Sequence, residues 1–192
     1  MSNELQGQTI AIIAADGVEQ IELESPRDAV QAAGARTELL SIDTGEIQAM
    51  EGDINKKDTF AVDKRVADAN ADDYDGLILP GGVANPDNLR VDDDVKAFLV
   101  AFFKTGKPVG VICHGPWTLV EADLVKGRTI TSFPSIRTDI VNAGGLWVDE
   151  EVVVDQGLVS SRNPDDLPAF NAKLVEEFAE GRHQVAEAGA TA

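Results

Sequence analysis

Three observations predict an α/β fold with a mainly parallel sheet and helices on both faces. Short, β-branched, almost uninterrupted apolar runs recur along the chain, as expected of parallel strands buried on both sides. Segments of helical periodicity lie between them. No linker-like shift in composition and no internal repeat divides the 192 residues, so a single domain over 1–192 is the economical reading.

The first apolar run is TIAIIAA, Thr9 to Ala15. A helix is expected from about Glu22 to Ala33, with Pro26 tolerable only near its first turn and Gly34 closing it. TELLSI, Thr37 to Ile42, reads as the second strand, and residues 45–66 hold short strand-like pieces. GLILP, Gly76 to Pro80, is the next buried strand. In Asp92 to Thr105 the apolar residues Val95, Phe98, Leu99, Phe102 and Phe103 have amphipathic-helix spacing. VGVI, Val109 to Ile112, is a further strand, followed by a helix from Gly115 to about Ala122. Near the end, Asn163-Pro164-Asp165-Asp166 reads as a helix start, with Leu167, Phe170, Leu174, Val175 and Phe178 on one face and a frayed tail over 184–192.

Composition removes several function classes. The 16 Lys and Arg against 34 Asp and Glu leave a net charge of −18, a field that repels phosphate backbones and anionic lipid surfaces. Nucleic acid and membrane are therefore poor partners. The N-terminus MSNELQGQ lacks a signal peptide's basic segment and apolar core, and no apolar run approaches the ~20 residues of a membrane helix. The single cysteine forms no internal disulfide, and no C-x-x-C or histidine cluster suggests zinc. A cytoplasmic protein without metal or cofactor is expected.

In parallel α/β sheets, sites form at the carboxyl ends of strands. Three loops lie there: ADGVEQIE after TIAII, PGGVANPD after GLIL, and CHGP after VGVI. Cys113 stands where an apolar strand turns directly into a helix, so backbone N–H groups nearby favour a thiolate. Gly115 matches the second half of a G-x-S-x-G elbow, while Val111 replaces its leading glycine. Cys113 is thus either a nucleophile or small core filler. Gly81 and Gly82 could offer unhindered N–H groups to an oxyanion, or simply form a tight turn. Glu19 could turn toward the sulfur, where burial would keep it protonated, or lie on the solvated surface. His114 could act as a general base if a partner holds its ring, and His183 lies in a polar stretch.

The same loops resemble the PfpI-type intracellular protease family, in the larger superfamily that includes the Parkinson-disease deglycase and class I glutamine amidotransferase-like domains. The likeness runs through TIAIIAADGVEQIEL, DGLILPGGVANPDNLR, GKPVGVICHGPWTLVEA and TSFPSIRTDIVNAGGLWVDEEVVVDQGLVSSRNPDDL. It implies a flavodoxin-like three-layer sandwich and a stress-associated protein. It also implies Cys113 as nucleophile, His114 beside it, Glu19 as the acid contacting sulfur, and Gly82 in the oxyanion loop. Family members form dimers or higher rings, in which an acid of the neighbouring subunit's PGG loop orients the histidine; Asp87 is the match here, although shorter than the glutamate of protease-like members. The reactions implied are peptidase, glyoxalase or protein deglycase chemistry on a small carbonyl or glycated substrate, all beginning with sulfur attack on a carbonyl carbon. A non-enzymatic stress protein whose Cys113 becomes sulfenate or sulfinate is the rival. Amidotransferase chemistry is disfavoured because no H-x-E pair lies downstream.

Overall fold

The computed structural model describes residues 3–182, so His183 and the tail over 184–192 lie outside the described residues. The chain opens with β1 (Thr9–Ile13), the two-residue strand β2 (Val18–Glu19), α1 (Gln20–Ala32) and β3 (Arg36–Ser41). A hairpin of β4 (Glu46–Glu51) and β5 (Asn55–Ala61) follows, then β6 (Lys64–Arg65), β7 (Gly76–Leu79), α2 (Ala84–Arg90), α3 (Asp93–Lys104) and β8 (Val109–Ile112). The remainder is α4 (Pro116–Glu121), β9 (Thr129–Ile130), α5 (Arg137–Asn142), β10 (Leu146–Trp147), β11 (Val152–Asp155), β12 (Leu158–Ser161) and α6 (Leu167–Glu180).

Seven strands form the central sheet in the order β11-β12-β8-β7-β1-β3-β6, parallel except for the β11–β12 pair. Alternation along β1 sends Ile10 and Ile12 to one face and Ala11 and Ile13 to the other. The first face packs against Leu23 and Val30 of α1 and Phe170, Leu174 and Phe178 of α6. The second packs against Val95, Phe98, Leu99 and Phe102 of α3 and Leu119 of α4. Burial on both faces is why these strands read as continuous apolar runs. No helix among the described residues is long and apolar enough to cross a membrane.

Four local expectations change. Helix α1 begins at Gln20 rather than Glu22, which places Pro26 in its second turn; the ring is buried, and its missing N–H leaves the Glu22 carbonyl without its usual helical donor. The PGGVANPD loop contains α2, in whose first turn Pro86 needs no helical donor. Within residues 45–66, β4 and β5 join β2 in a separate three-stranded sheet, β2-β4-β5, whose turn at Gly52 and Asp53 folds back onto Glu19 and Val83, while β6 joins the central sheet. At the last helix, the Asn163 side chain accepts from the Asp165 N–H, but this cap starts a 3-10 turn at Pro164 that leads into α6.

Candidate active site at the β8–α4 turn

Strand β8 ends at Ile112, and Cys113 takes φ 62°, a left-handed conformation rare outside glycine and stored where surroundings enforce it. Its N–H donates to Ser161 O on β12 at 3.1 Å, and its carbonyl accepts from Phe133 N at 2.9 Å. Gly115 then allows the bend: a Cβ there would lie 2.7 Å from Leu79 O and 2.9 Å from Ile112 O. The elbow thus holds the thiol at the carboxyl end of the sheet with only 6% of the residue exposed.

The acid at the sulfur is Glu22, which corrects the expectation for Glu19. The Glu22 carboxyl lies beside the Cys113 thiol, and its Oε2 accepts the Gly81 N–H at 2.9 Å. Glu19, one residue before α1, instead turns to the hairpin, where its Oε2 accepts from Gly52 N at 2.8 Å. A sequence signal existed: Glu22, Pro26 and Val30 recur at i, i+4 and i+8, so an acid occupies the core-facing stripe of α1.

The oxyanion expectation narrows in the same way. The Gly81 N–H is spent on Glu22, leaving the Gly82 and His114 N–H groups as the backbone donors at Sγ. Asn85, fully buried and not anticipated, fixes this loop: its Oδ1 accepts from Ala15 N at 2.7 Å, and its Nδ2 donates to the Pro80 and Gly81 carbonyls at 3.0 and 2.9 Å.

His114 is held beside the sulfur. Its Nδ1 lies 3.2 Å from Sγ, its Nε2 lies 2.9 Å from Ser135 Oγ, and its ring stacks on Phe133 at 4.6 Å between centroids. Ser135 was not foreseen, because one serine in a turn carries no spacing signal. Asp87 sits in the first turn of α2 with its carboxylate 3.4 Å from Arg90 Nε, and Arg90 in turn lies over the Trp117 ring.

Electrostatics follow from depth. Burial pushes Glu22 up to about 8, so it holds its proton at neutral pH. Burial, reinforced by the charge of Glu22, pushes the Cys113 thiol up, while the Gly82 and His114 N–H groups oppose this. This reverses the thiolate expected from the strand-to-helix turn alone: desolvation outweighs the backbone donors. Burial lowers His114, with the charge of Asp53 opposing, and so favours the neutral imidazole. The resting arrangement is a thiol next to a neutral base and a protonated carboxyl. Among the described residues no group of three or more His, Cys, Asp or Glu could hold a metal ion.

A flavodoxin-like sandwich with a strained cysteine elbow, a buried acid and an adjoining histidine defines the class. Residues 8–177 match the DJ-1/PfpI family, and the chain belongs to that family. A Bacillus subtilis protein named "Putative cysteine protease YraA" is 44% identical over 163 residues, covering 84% of this chain and 93% of that one. Drosophila melanogaster DJ-1beta superposes with a TM-score of 0.81 at 26% identity, covering 93% of this chain and 91% of its own. A two-domain Anabaena variabilis protein with DJ-1/ThiJ/PfpI-like and ferritin-like domains matches with a TM-score of 0.84 at 30% identity; 96% of this chain corresponds to 52% of that protein, about half its length.

Proposed function

We propose that the protein is a cysteine-dependent enzyme acting on carbonyl carbon, with a small aldehyde, a glycated amine or a peptide as substrate. The observation that carries this reading is Cys113 Sγ placed 3.2 Å from His114 Nδ1, with the Gly82 and His114 N–H groups directed at the same sulfur. His114 keeps its proton on Nε2, donated to Ser135 Oγ, and Nδ1 accepts the thiol proton as Sγ bonds to the carbonyl carbon. The carbonyl π pair moves onto oxygen, where Gly82 and His114 N–H stabilise it. The proton on Nδ1 then passes to that oxygen, or to the leaving nitrogen of an amide. Glu22, protonated, donates toward the reacting atoms and avoids a second negative charge.

A panel of methylglyoxal, casein and a glycated peptide tests the proposal. Cys113-dependent turnover of at least one substrate, absent in Cys113→Ala, supports it. Equal rates with wild type and Cys113→Ala overturn it. A second reading, a redox-responsive stress protein, is favoured by the protonated Glu22 carboxyl at the sulfur, able to hold a sulfinate by a charge-assisted hydrogen bond. No turnover on the panel, together with peroxide-driven gain of two oxygens at Cys113, would select that reading. In either case we infer a cytoplasmic homodimer or larger ring, in which Asp87 of one copy would have to replace Ser135 at Nε2 to orient His114 of the other.

Ser135 acts through His114 as a positioning residue. Ser135→Ala should lower kcat by about threefold to tenfold, the worth of one hydrogen bond, with KM little changed. Because the lost acceptor no longer stabilises the imidazolium, the acid limb of the pH–rate profile should move to lower pH. Ser135→Thr should restore it. An unmoved profile in Ser135→Ala would remove Ser135 from the mechanism.

A further inference from the structure

We propose that the rim of the Cys113 site selects carbonyl substrates carrying a positive charge within a few bonds of the reacting carbon, over neutral and anionic ones. The proposal rests on the carbonyl-addition reading above and names its substrate class.

Two carboxylates border the oxyanion loop. Asp53, in the turn of the β4–β5 hairpin at φ 66°, accepts from Val83 N at 2.7 Å, the N–H immediately after the Gly82 donor. Glu19 accepts from Gly52 N in the same turn, and its own N–H donates to Gly81 O at 3.3 Å. The hairpin and β2 thus place both acids against the loop that faces the sulfur. The charge of Asp53 is felt at His114, Glu22 and Glu19.

Two of the nearby cations are engaged elsewhere, and the third, Lys56 of β5, forms no ion pair with Glu19 or Asp53. Lys57 pairs with Glu51 at 3.0 Å, and Arg90 pairs with Asp87. Neither Glu19 nor Asp53 has a salt-bridge partner among the described residues. Glu22, fully buried beside the sulfur, holds its proton at neutral pH and adds no charge there, so the field at the rim comes from Asp53 and Glu19. A charge about 10 Å from the reacting centre, at an effective dielectric constant near 20, changes affinity by roughly tenfold. Two carboxylates therefore favour a cation and disfavour an anion enough to set specificity.

Charged thiol reagents read this rim without requiring turnover. Cys113 would be modified with methanethiosulfonates bearing an ethylammonium, a methyl or an ethylsulfonate group, each rate being divided by that for a free thiol. The cationic reagent should react at least about tenfold faster than the anionic one at low salt, and the ratio should shrink as salt screens the rim. Asp53→Asn with Glu19→Gln keeps both acceptor oxygens and removes both charges. That variant should bring the ratio several-fold toward one while the neutral reagent's rate stays nearly constant. Asp72→Asn with Asp73→Asn, before β7 at the opposite end of the sheet, removes the same net charge and should leave the ratio unchanged.

Equal ratios in the two double variants would overturn the proposal, since the overall charge of −18 would then be the cause. In turnover, betaine aldehyde should exceed propionaldehyde and glyoxylate in kcat/KM. Turnover that prefers glyoxylate overturns the charge selection and leaves the enzyme reading intact. No turnover of any aldehyde, with the reagent ratios as expected, overturns the enzyme reading and leaves the rim's selectivity standing. A Cys113 untouched by the neutral reagent overturns both.

Discussion

Glu22→Gln is expected to stabilise the protein against unfolding, by an amount that grows as pH rises from about 5 to above 8. An ordinary glutamate titrates at 4.5, whereas burial holds Glu22 near 8 in the folded chain. Between those values the unfolded carboxyl has lost its proton and the folded one retains it. The folded state therefore binds one more proton, and stability falls as pH rises. The contribution is complete below 4.5 and lost on passing through about 8. At about 1.4 kcal/mol per unit, the interval amounts to roughly 4–5 kcal/mol. Glutamine cannot ionise but retains an oxygen for the Gly81 N–H, so it escapes the penalty with the loop bond preserved. Titrating groups that do not feel Glu22 act equally in both proteins and cancel, and making the comparison in a Cys113→Ala background removes the thiol that does feel its charge. In that background the melting temperature of the Glu22→Gln variant should exceed that of its parent by roughly 10 °C or more at pH 8.5 and by little at pH 5. Parallel stability curves would mean that Glu22 is not kept protonated by the fold.

That acid shows where sequence reading loses its hold. The central strands were legible because burial on both faces leaves unbroken runs such as TIAII and VGVI, whose alternate residues enter the two cores. The elbow was legible because Cys113, Gly115 and Pro116 record a strand meeting a helix. Of two glutamates three residues apart, the inward one is marked by the stripe that Glu22 shares with Pro26 and Val30, all within the expected helix, but the loop position and the resemblance pointed to Glu19 instead. The pieces of β4 and β5 were visible, but not that their turn folds back to place Asp53 against Val83. Ser135 meets His114 only through tertiary packing. The direction of the Cys113 shift depended on depth of burial, which the turn motif does not encode. Among short elements, β9 and β10 escaped notice because two-residue strands carry no periodicity.

The oxyanion loop makes the largest demand on a single residue, and Gly82→Ala is expected to damage stability and activity together. Gly82 has φ 81°, where an alanine pays about 1–2 kcal/mol of backbone strain. Its environment adds more: a Cβ would overlap Gly17 O and lie 2.9 Å from Glu19 N. Both are backbone atoms, and neither is free to retreat. Gly17 N is hydrogen-bonded to Gln48 O, Glu19 N to Gly81 O, and Asn85 pins the loop from the other side. The loop must therefore move as a unit, carrying the Gly82 N–H away from Sγ. Gly127 is the matched control, since φ there is 74° and nothing lies within 4 Å of a built Cβ. Gly127→Ala should cost only the strain, lowering the melting temperature by about 2–8 °C. Gly82→Ala should lower it by clearly more. Because one oxyanion donor is displaced, kcat on whichever substrate the wild type turns over should fall about 10²–10³-fold, against little change for Gly127→Ala. Equal melting temperatures and equal rates in the two variants would show that the approach of Gly82 to the β1–β2 turn does not position the donor.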